Sequence, residues 1–421
     1  MLEGLAGVRP PLPTNDRLVI YEMPTAWSRS RTDGLRERGV GTFRDVAALV
    51  DPGAGGASFA GLAILNLGRS YLADALGVNA LELLPPADSA DARTWGYGTT
   101  NFCAPDFELG YPVDASQPMP NRDLRDLVDS CHRRGIRVFV DVVMGFAKNS
   151  PYLAAALDDF FILDPSADPD DGDARTSRGT LRDSWGSSLF RFETFVDGYD
   201  PVSGQHRTLS PAAQLMKVAL IRWLTDFAVD GIRIDSVETV FSWDFLQQYR
   251  DLAFQVWSDH SATPVAEPQD RFLVVGEELT EPVSILEQNR LQGLWHESFK
   301  RYIRQALLGE GADGWDFEAT IRRALDCRSF GYHDLTQAVI YLTSHDVEGL
   351  HNERLFPFLL SSGVADPDRR VRLAFACLLT AVGVHRSWPA TSSATTTTCS
   401  TSTATSPTVV VSKWTRSTTP V

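Results

Sequence analysis

Short apolar segments of strand length recur along the chain and alternate with longer segments of helical spacing, such as residues 124–135, 212–231 and 369–384. The apolar segments are RLVIYEM (17–23), ALELLP (80–85), IRVFVDVV (136–143), GIRID (231–235), FLVVGEE (272–278) and AVIYLTSHD (338–346). Strands that are apolar on both faces and are joined through helices form parallel sheets. The pattern therefore predicts an α/β fold.

Acidic residues stand at or near the end of each apolar segment. They are Glu22, Glu82, Asp141, Asp235, Glu277 and Asp346. In a (β/α)8 barrel the carboxyl ends of the strands meet on one face, where catalytic groups lie. For any single residue, a charge that marks where a buried strand reaches solvent explains the position equally well. Six such residues at corresponding positions predict a (β/α)8 TIM barrel.

Residues 144–210 interrupt the alternation of strands and helices. They are rich in Asp, Gly, Ser and Pro, but they include the aromatic stretch WGSSLFRFETFVDGY. A long irregular segment after a barrel strand is usually functional or disordered, and the aromatic residues favour an ordered one. We expect a short insertion domain after strand three. It would belong to a catalytic barrel of residues 17–384, preceded by an N-terminal extension of residues 1–16.

Residues 385–421 differ in composition from the rest of the chain. More than half of them are Ser or Thr and none is acidic. Such a segment cannot bury enough apolar surface to form a core, so we expect a disordered tail. Because the eighth barrel strand and its helix would fall here, we expect both to be missing or altered. Strands one and seven would then have unpaired edges, which favour aggregation.

Charge and composition argue against several classes of function. The formal net charge is −15, and nucleic-acid binding needs clustered positive charge. The sequence has no signal peptide and no run of about 18 apolar residues, so we expect neither export nor a membrane partner. The five cysteines are scattered and the eight histidines form no His-x-His cluster. We expect reduced thiols, a cytoplasmic location, and no metal or other cofactor.

Asp235 and Glu277 are the candidate catalytic carboxylates. They follow neighbouring predicted strands, where the separation of roughly 5 Å that retaining glycoside hydrolysis requires is feasible. Arg233 lies two residues before Asp235 and therefore points to the same face of the strand. A guanidinium there would keep Asp235 ionised and oriented. By spacing alone, a structural ion pair at the barrel rim is the commoner explanation.

Five ordered motifs resemble those of a known family. The motifs are WGYGTTNFCAPD (95–106), VFVDVVMGF (138–146), GIRIDSVET (231–239), VVGEEL (274–279) and YLTSHDVEG (341–349). Each motif alone is weak. Together, over about residues 17–384, they resemble the α-amylase superfamily of retaining α-glucan enzymes, glycoside hydrolase family 13.

The resemblance implies a double displacement with three catalytic residues. Asp235 would be the nucleophile that forms a glucosyl-enzyme, Glu277 the general acid/base, and Asp346 the group that stabilises the transition state. An oxocarbenium-like transition state is stabilised by nearby carboxylates, while an acid of raised pKa protonates the leaving oxygen. Glu278 should point away from Glu277 on its strand.

The resemblance also implies four residues that bind the substrate, an α-glucan or maltooligosaccharide. Arg233 would position the nucleophile, and Asp141 would organise the site. His345 would bind sugar hydroxyls, and Tyr97 would stack on the same sugar.

Several positions depart from the family pattern. Gly145 and Phe146 replace the usual Asn or Gly followed by His, so we expect no structural calcium ion. Glu238 and Thr239 replace the Lys-His of many α-amylases. The SHD, GEE and WGSSLF stretches resemble branching and debranching members. Such members usually carry a β-sandwich before the barrel, and only 16 residues precede RLVIYEM here.

We therefore expect a retaining, α-glucan-active glycosidase of the α-amylase type. Hydrolysis and transfer share every catalytic group, so a 1,4-α-glucan branching-type transglycosidase is an alternative. A truncated, inactive glucan-binding relative is another. With one possible choice of codons for WPATSS in the tail, a reading frame that starts one nucleotide upstream would encode the family's AGDEF-like segment. The tail is thus either a frameshifted reading or a natural Ser/Thr-rich linker.

Overall fold

The computed structural model describes residues 12–27, 41–53, 63–90, 95–111, 118–148, 151–155, 157–162, 183–184, 187–201, 203–260, 270–349 and 353–388. Within these ranges the chain forms a closed barrel of eight strands with helices on its outside. The prediction of a (β/α)8 barrel is confirmed. None of the helices in the described ranges combines the length and the apolar character of a bilayer-spanning segment.

All eight barrel strands run parallel. They are β1 (Val19–Met23), β2 (Ala80–Leu83), β3 (Arg137–Val142), β4 (Gly231–Ile234), β5 (Leu273–Gly276), β6 (Gly293–His296), β7 (Ala338–Ile340) and β8 (Val384–Ser387). Each strand pairs with the next along the chain, and β8 pairs with β1. The apolar segments of the sequence contain six of these strands, whereas β6 and β8 lie outside them.

The eighth strand is present, so the expectation that it is missing was wrong. His385 of β8 is the partner of Val19 in β1 and of Ile340 in β7, and strands one and seven are both paired here. The tail predicted from residue 385 therefore begins too early. The polar composition of this segment did not reveal the strand, because strand pairing uses backbone groups. In addition, the charge of the buried Arg386 is balanced by distant residues described below. Residues 389–421, including any eighth helix, lie outside the described residues.

In the described ranges, one helix that packs outside the barrel follows each of the first seven strands. These helices are α1 (Phe43–Val50), α2 (Pro120–Arg133), α3 (Pro211–Asp226), α4 (Trp243–His260), α5 (Ser284–Glu287), α6 (Glu297–Leu308) and α7 (Pro367–Thr380). Proline at the first position of α2, α3 and α7 suits a helix start, where its missing N–H costs nothing. At α7 the Asp366 side chain also accepts from the Arg369 N–H.

Shorter elements complete the connections. Further helices are Ala63–Asn66, Tyr152–Ala155, Leu157–Phe160, Phe317–Ala324, His345–Gly349 and Leu355–Ser361, with a π-helical segment at Tyr71–Leu76. Single 3₁₀ turns span Asn15–Arg17, Thr25–Trp27, Phe107–Leu109, Val237–Thr239, Cys327–Phe330 and Leu335–Gln337. A two-stranded sheet of Ala87–Ser89 and Thr99–Pro105 follows β2.

The region between β3 and α3 corresponds to the predicted insertion. Phe146–Ala147, Ser187–Leu189 and Asp183–Ser184 form a small antiparallel sheet. Val196–Asp200 and Gln205–Leu209 form a hairpin. Residues 163–182 lie outside the described ranges, and a separate insertion domain stays a prediction.

Alternate strand residues fill the barrel interior in two levels. Toward the amino ends of the strands the filling is apolar, with Leu18, Ile20, Ala80, Phe139, Leu273, Val275, Val339 and Val384. Toward the carboxyl ends it consists of the buried charged residues Glu22, Glu82, Asp141, Arg233, Glu277 and Arg386 beside Trp295 and Tyr341. Buried charges are costly unless they are paired. The stability of this second level, called the charged level below, therefore depends on how its charged side chains pair.

Candidate active site

Arg233 is the hub of the charged level. It is fully buried on β4, and its Nη1 donates to Asp141 Oδ2 at 2.5 Å and to Asp235 Oδ1 at 2.9 Å. Its Nη2 lies 2.6 Å from Glu277 Oε2. Because β4 pairs with β3 on one side and with β5 on the other, three strands bring three carboxylates to one guanidinium. The two candidate catalytic carboxylates are adjacent as a result.

Tyr97 and His345 line the site next to these carboxylates. The Tyr97 hydroxyl donates to Asp141 Oδ2 at 2.5 Å and accepts from Arg233 Nη1 at 3.2 Å. The Tyr97 ring stacks on His345, with centroids 4.9 Å apart and planes inclined by 15°. His345 Nε2 lies 3.3 Å from Asp346 Oδ2. The seven residues singled out from the sequence therefore converge on one site at the carboxyl face of the barrel.

A strained turn holds Asp235 in place. Ser236 has a φ of 44°, in the left-handed region that few side chains adopt. Its N–H donates to Glu277 Oε2 at 3.1 Å, and its carbonyl accepts from Thr239 Oγ1 at 2.7 Å. A Cβ on Gly145 would lie 1.8 Å from Thr239 Oγ1. Gly145 and Thr239, which belong to two of the motifs compared above, are thus a matched pair in which the glycine leaves room for the threonine.

Burial and Arg233 act in opposite directions on the pKa values of the carboxylates around Arg233. Burial raises the pKa of Asp235 well above its usual value, because Arg233 offsets only part of the effect and Glu277 and Asp141 add to it. It also raises the pKa of Asp141 to about 6. Burial acts in the same direction on Glu277, but Arg233, His345 and a hydrogen bond from Asp235 outweigh it, so the pKa of Glu277 is lowered.

This distribution is the reverse of the one expected from the sequence, in which Arg233 keeps Asp235 ionised and Glu277 carries a proton. The physical reason is that Nη2 of Arg233 lies 2.6 Å from Glu277, whereas Nη1 lies 2.9 Å from Asp235 and also pairs with Asp141. A guanidinium shared in this way favours the anion on Glu277. The pKa of Asp235 is accordingly raised and that of Glu277 lowered.

Burial also favours the neutral form of the His345 imidazole. Burial lowers the pKa of His345 to about 4. Its Nδ1 lies 2.7 Å from Glu22 Oε1. Burial raises the pKa of Asp346, the neighbour of Nε2.

Residues from β1, β2, β6 and β8 complete the charged level. Arg386 Nε lies 3.1 Å from Glu82 Oε1, and Arg386 Nη2 pairs with Glu22 Oε1. The guanidinium carbons of Arg233 and Arg386 lie 4.2 and 3.8 Å from the centre of the Trp295 ring. Positions at strand ends had singled out the two glutamates, but no role was assigned to them. Nothing in the local sequence pointed to Arg386, whose partner Glu82 is 304 positions away.

Two further observations concern which side chains are grouped at the site. Within the described ranges, no three His, Cys, Asp or Glu side chains are grouped so that they could hold a metal ion. Glu278 does not join the cluster, since its Oε1 accepts from the N–H and the hydroxyl of Thr280. The arrangement can therefore perform acid, base and nucleophilic chemistry with carboxylates.

Curated relatives match part of the chain, whereas no protein family model matches it. A malto-oligosyltrehalose trehalohydrolase from Deinococcus radiodurans is 27% identical over 236 residues, which are 56% of this chain and 31% of the relative. A 1,4-α-glucan branching enzyme from Nitrosococcus oceani is 30% identical over 176 residues, which are 42% of this chain and 19% of the relative. The matched part thus spans less than a third of either curated relative.

A solved structure agrees over most of the fold. The crystal structure of an α-amylase from Geobacillus thermoleovorans, complexed with acarbose, superposes with a TM-score of 0.59. The match covers 90% of this chain and 71% of that one at 17% sequence identity, so it supports the fold alone. The two curated relatives therefore support the resemblance of the five ordered motifs to the α-amylase superfamily, glycoside hydrolase family 13, and to its branching-type members.

Proposed function

We propose that the chain cleaves α-glucosidic bonds of an α-glucan by a retaining double displacement. The observation that carries the proposal is the sharing of one buried guanidinium, Arg233, by Asp235 and Glu277. Retention needs two carboxyl groups roughly 5 Å apart, and a shared guanidinium keeps these two groups next to each other. The names of the curated relatives support the substrate class.

In the proposed mechanism Asp235 attacks the anomeric carbon while Glu277 protonates the departing glycosidic oxygen. A bond forms between the Asp235 carboxylate and the sugar, and the leaving chain departs as an alcohol. Glu277, now ionised, then takes a proton from water or from an acceptor hydroxyl, which displaces Asp235. Asp346 stabilises the charge that develops on the ring in both steps.

The proposal requires a proton transfer within the carboxylate pair. In the arrangement described above the raised pKa of Asp235 and the lowered pKa of Glu277 favour a proton on Asp235, whereas attack needs Asp235 ionised and Glu277 protonated. A sugar seated against Tyr97 and His345 would separate the two carboxyls and leave Arg233 to pair with Asp235. The pH dependence of turnover therefore belongs to the pair and not to either residue.

Azide rescue tests the two roles directly. With an activated α-glucosyl substrate, Asp235→Ala plus azide should give β-glucosyl azide, because azide replaces the nucleophile. Glu277→Ala plus azide should give α-glucosyl azide, because the glucosyl-enzyme still forms. Glu278→Gln is the matched control and should keep parental turnover. Full activity of Asp235→Ala without azide would refute the proposal.

Transfer is the second candidate, and the branching enzyme among the relatives favours it. A branching-type transglycosidase resolves the glucosyl-enzyme with a sugar hydroxyl instead of water. Incubation with amylose separates the two, since hydrolysis produces reducing ends, whereas branching changes the iodine colour without them.

A catalytically inactive glucan-binding protein is the third candidate. Phe146 favours it, because it replaces the histidine that the family usually has there and so removes a contact to a sugar hydroxyl. Retention on glucan without turnover in either assay would support binding alone.

A further inference from the structure

Glu22 and Arg386 contact the site but have no role in the proposed mechanism. Both side chains are fully buried. They lie on β1 and β8, the pair of strands that closes the barrel, and Arg386 is the register partner of Ile20. Glu22 is therefore two residues beyond the position opposite Arg386, close enough for the two side chains to pair.

One oxygen of Glu22 contacts two nitrogen atoms. Oε1 lies 2.7 Å from Nδ1 of His345 and also pairs with Nη2 of Arg386. A guanidinium carries no acceptor, so Oε1 faces the positive charge of Arg386 without a proton of its own and presents a lone pair to His345. The imidazole must then meet Oε1 with an N–H at Nδ1. Oε2 has no hydrogen-bond partner among the described residues, so a proton carried there would leave Oε1 an acceptor.

The partner of one imidazole nitrogen determines the state of the other. Burial lowers the pKa of His345 to about 4, so near neutral pH the ring carries a single N–H. With that hydrogen on Nδ1, Nε2 is bare. Nε2 faces Asp346 Oδ2 at 3.3 Å. A bare nitrogen there can accept a hydrogen bond from a sugar hydroxyl or from a protonated Asp346, but it cannot donate one.

We propose that Glu22 is a positioning residue that holds His345 as the Nδ1–H tautomer, with Arg386 fixing Glu22, so that Nε2 faces the substrate as a hydrogen-bond acceptor. The part that concerns substrate rests on the proposed function. The tautomer does not, because it is a property of the free protein.

Imidazole ¹⁵N spectra of the full-length protein near pH 8 test the tautomer. His345→Gln assigns the signal by its disappearance. The parent should show a protonated Nδ1 and a bare Nε2. Glu22→Leu should shift the population toward Nε2–H, because Nδ1 then loses its acceptor. Glu82→Leu is the matched control, since Glu82 is equally buried and pairs with the same arginine but not, within the described residues, with His345.

Kinetics give the second readout. On amylose, Glu22→Leu should lower kcat/KM about tenfold, the effect of one misdirected hydrogen bond, with a smaller change for Glu82→Leu. An Nε2–H tautomer in the parent would overturn the inference even if no variant folds. An unchanged His345 spectrum in folded Glu22→Leu would overturn it as well. If the parent has no turnover but shows the expected tautomer and Glu22 dependence, only the proposed function fails.

Discussion

Replacing Arg386 with methionine should destabilise the barrel strongly, although residue 386 lies in a segment of tail-like composition. Arg386 is the cation that faces Glu22 and Glu82, and all three side chains are buried. Removing one partner of a buried ion pair costs about 3–5 kcal/mol, since the remaining charge is left unpaired. Loss of the stacking on Trp295, whose ring centre is 3.8 Å from the guanidinium carbon, adds about 0.5–2 kcal/mol.

The magnitude depends on pH and on the partners. Burial raises the pKa of Glu22 to about 7, so the carboxyl is already neutral near pH 5. Replacing Arg386 at that pH should therefore lower the free energy of unfolding by less. We expect the full 3–5 kcal/mol near pH 8. Combining Arg386→Met with Glu22→Gln and Glu82→Gln removes every charge of the cluster. This triple variant should recover to within about 1–2 kcal/mol of the parent.

Urea unfolding followed by near-UV circular dichroism measures these differences at pH 5 and pH 8. Arg322→Met is the control, because Arg322 forms an exposed pair with Glu318 at 77% and 74% side-chain exposure. Such surface pairs contribute about 0–1 kcal/mol. A loss below about 1 kcal/mol in Arg386→Met at pH 8, or no recovery in the triple variant, would refute the reasoning that β8 is held by this charge cluster.

Four further outcomes are expected. Gly145→Ala should cost about 2–4 kcal/mol in urea unfolding because its Cβ would lie 1.8 Å from Thr239 Oγ1, whereas Gly198→Ala, with no contact under 3.7 Å, should change stability little. Asp235→Asn should abolish turnover without lowering Tm near pH 8, since burial already disfavours the Asp235 anion. The folded-state pKa of Glu22 exceeds the unfolded value of 4.5, so its stabilisation is complete below pH 4.5 and is lost as pH rises through about 7. Glu22→Gln should therefore reduce the fall in unfolding free energy between pH 4.5 and 8 by about 3 kcal/mol. Dialysis against EDTA should leave Tm and turnover unchanged, and a drop in either would reveal a metal ion.

Much of the barrel and the site could be predicted because both depend on local patterns. The apolar segments predicted six of the strands, and the acidic residues at or near their ends predicted the candidate catalytic carboxylates. β6 was missed because GLWH is only four residues long and includes glycine and histidine, so it lacks a strand signal. Its Trp295 nevertheless packs against the guanidinium groups of both Arg233 and Arg386.

The errors came from interactions between distant parts of the chain. The sequence around residue 386 is polar, and only Glu22 and Glu82, more than 300 positions earlier, make its burial favourable. Similarly, a two-residue spacing indicated that Arg233 pairs with Asp235, but it could not indicate that the second nitrogen reaches Glu277 on the next strand. The frameshift hypothesis for the tail is untested by the fold, and resequencing of the gene through codon 385 decides it.

Because β1 and β8 close the barrel, the barrel cannot close until both strands have been synthesised. β1 ends at Met23 and β8 begins at Val384, so roughly 360 residues separate the two strands that must meet. At about 5–20 residues per second, a ribosome needs roughly 20–70 s to make the intervening chain. During that interval β1 can pair only on the side of β2, and neither the Glu22 charge nor its Glu82 neighbour has a partner from β8. A chaperone that shields the open side of β1 should therefore increase the yield of folded chain more than one that acts after release.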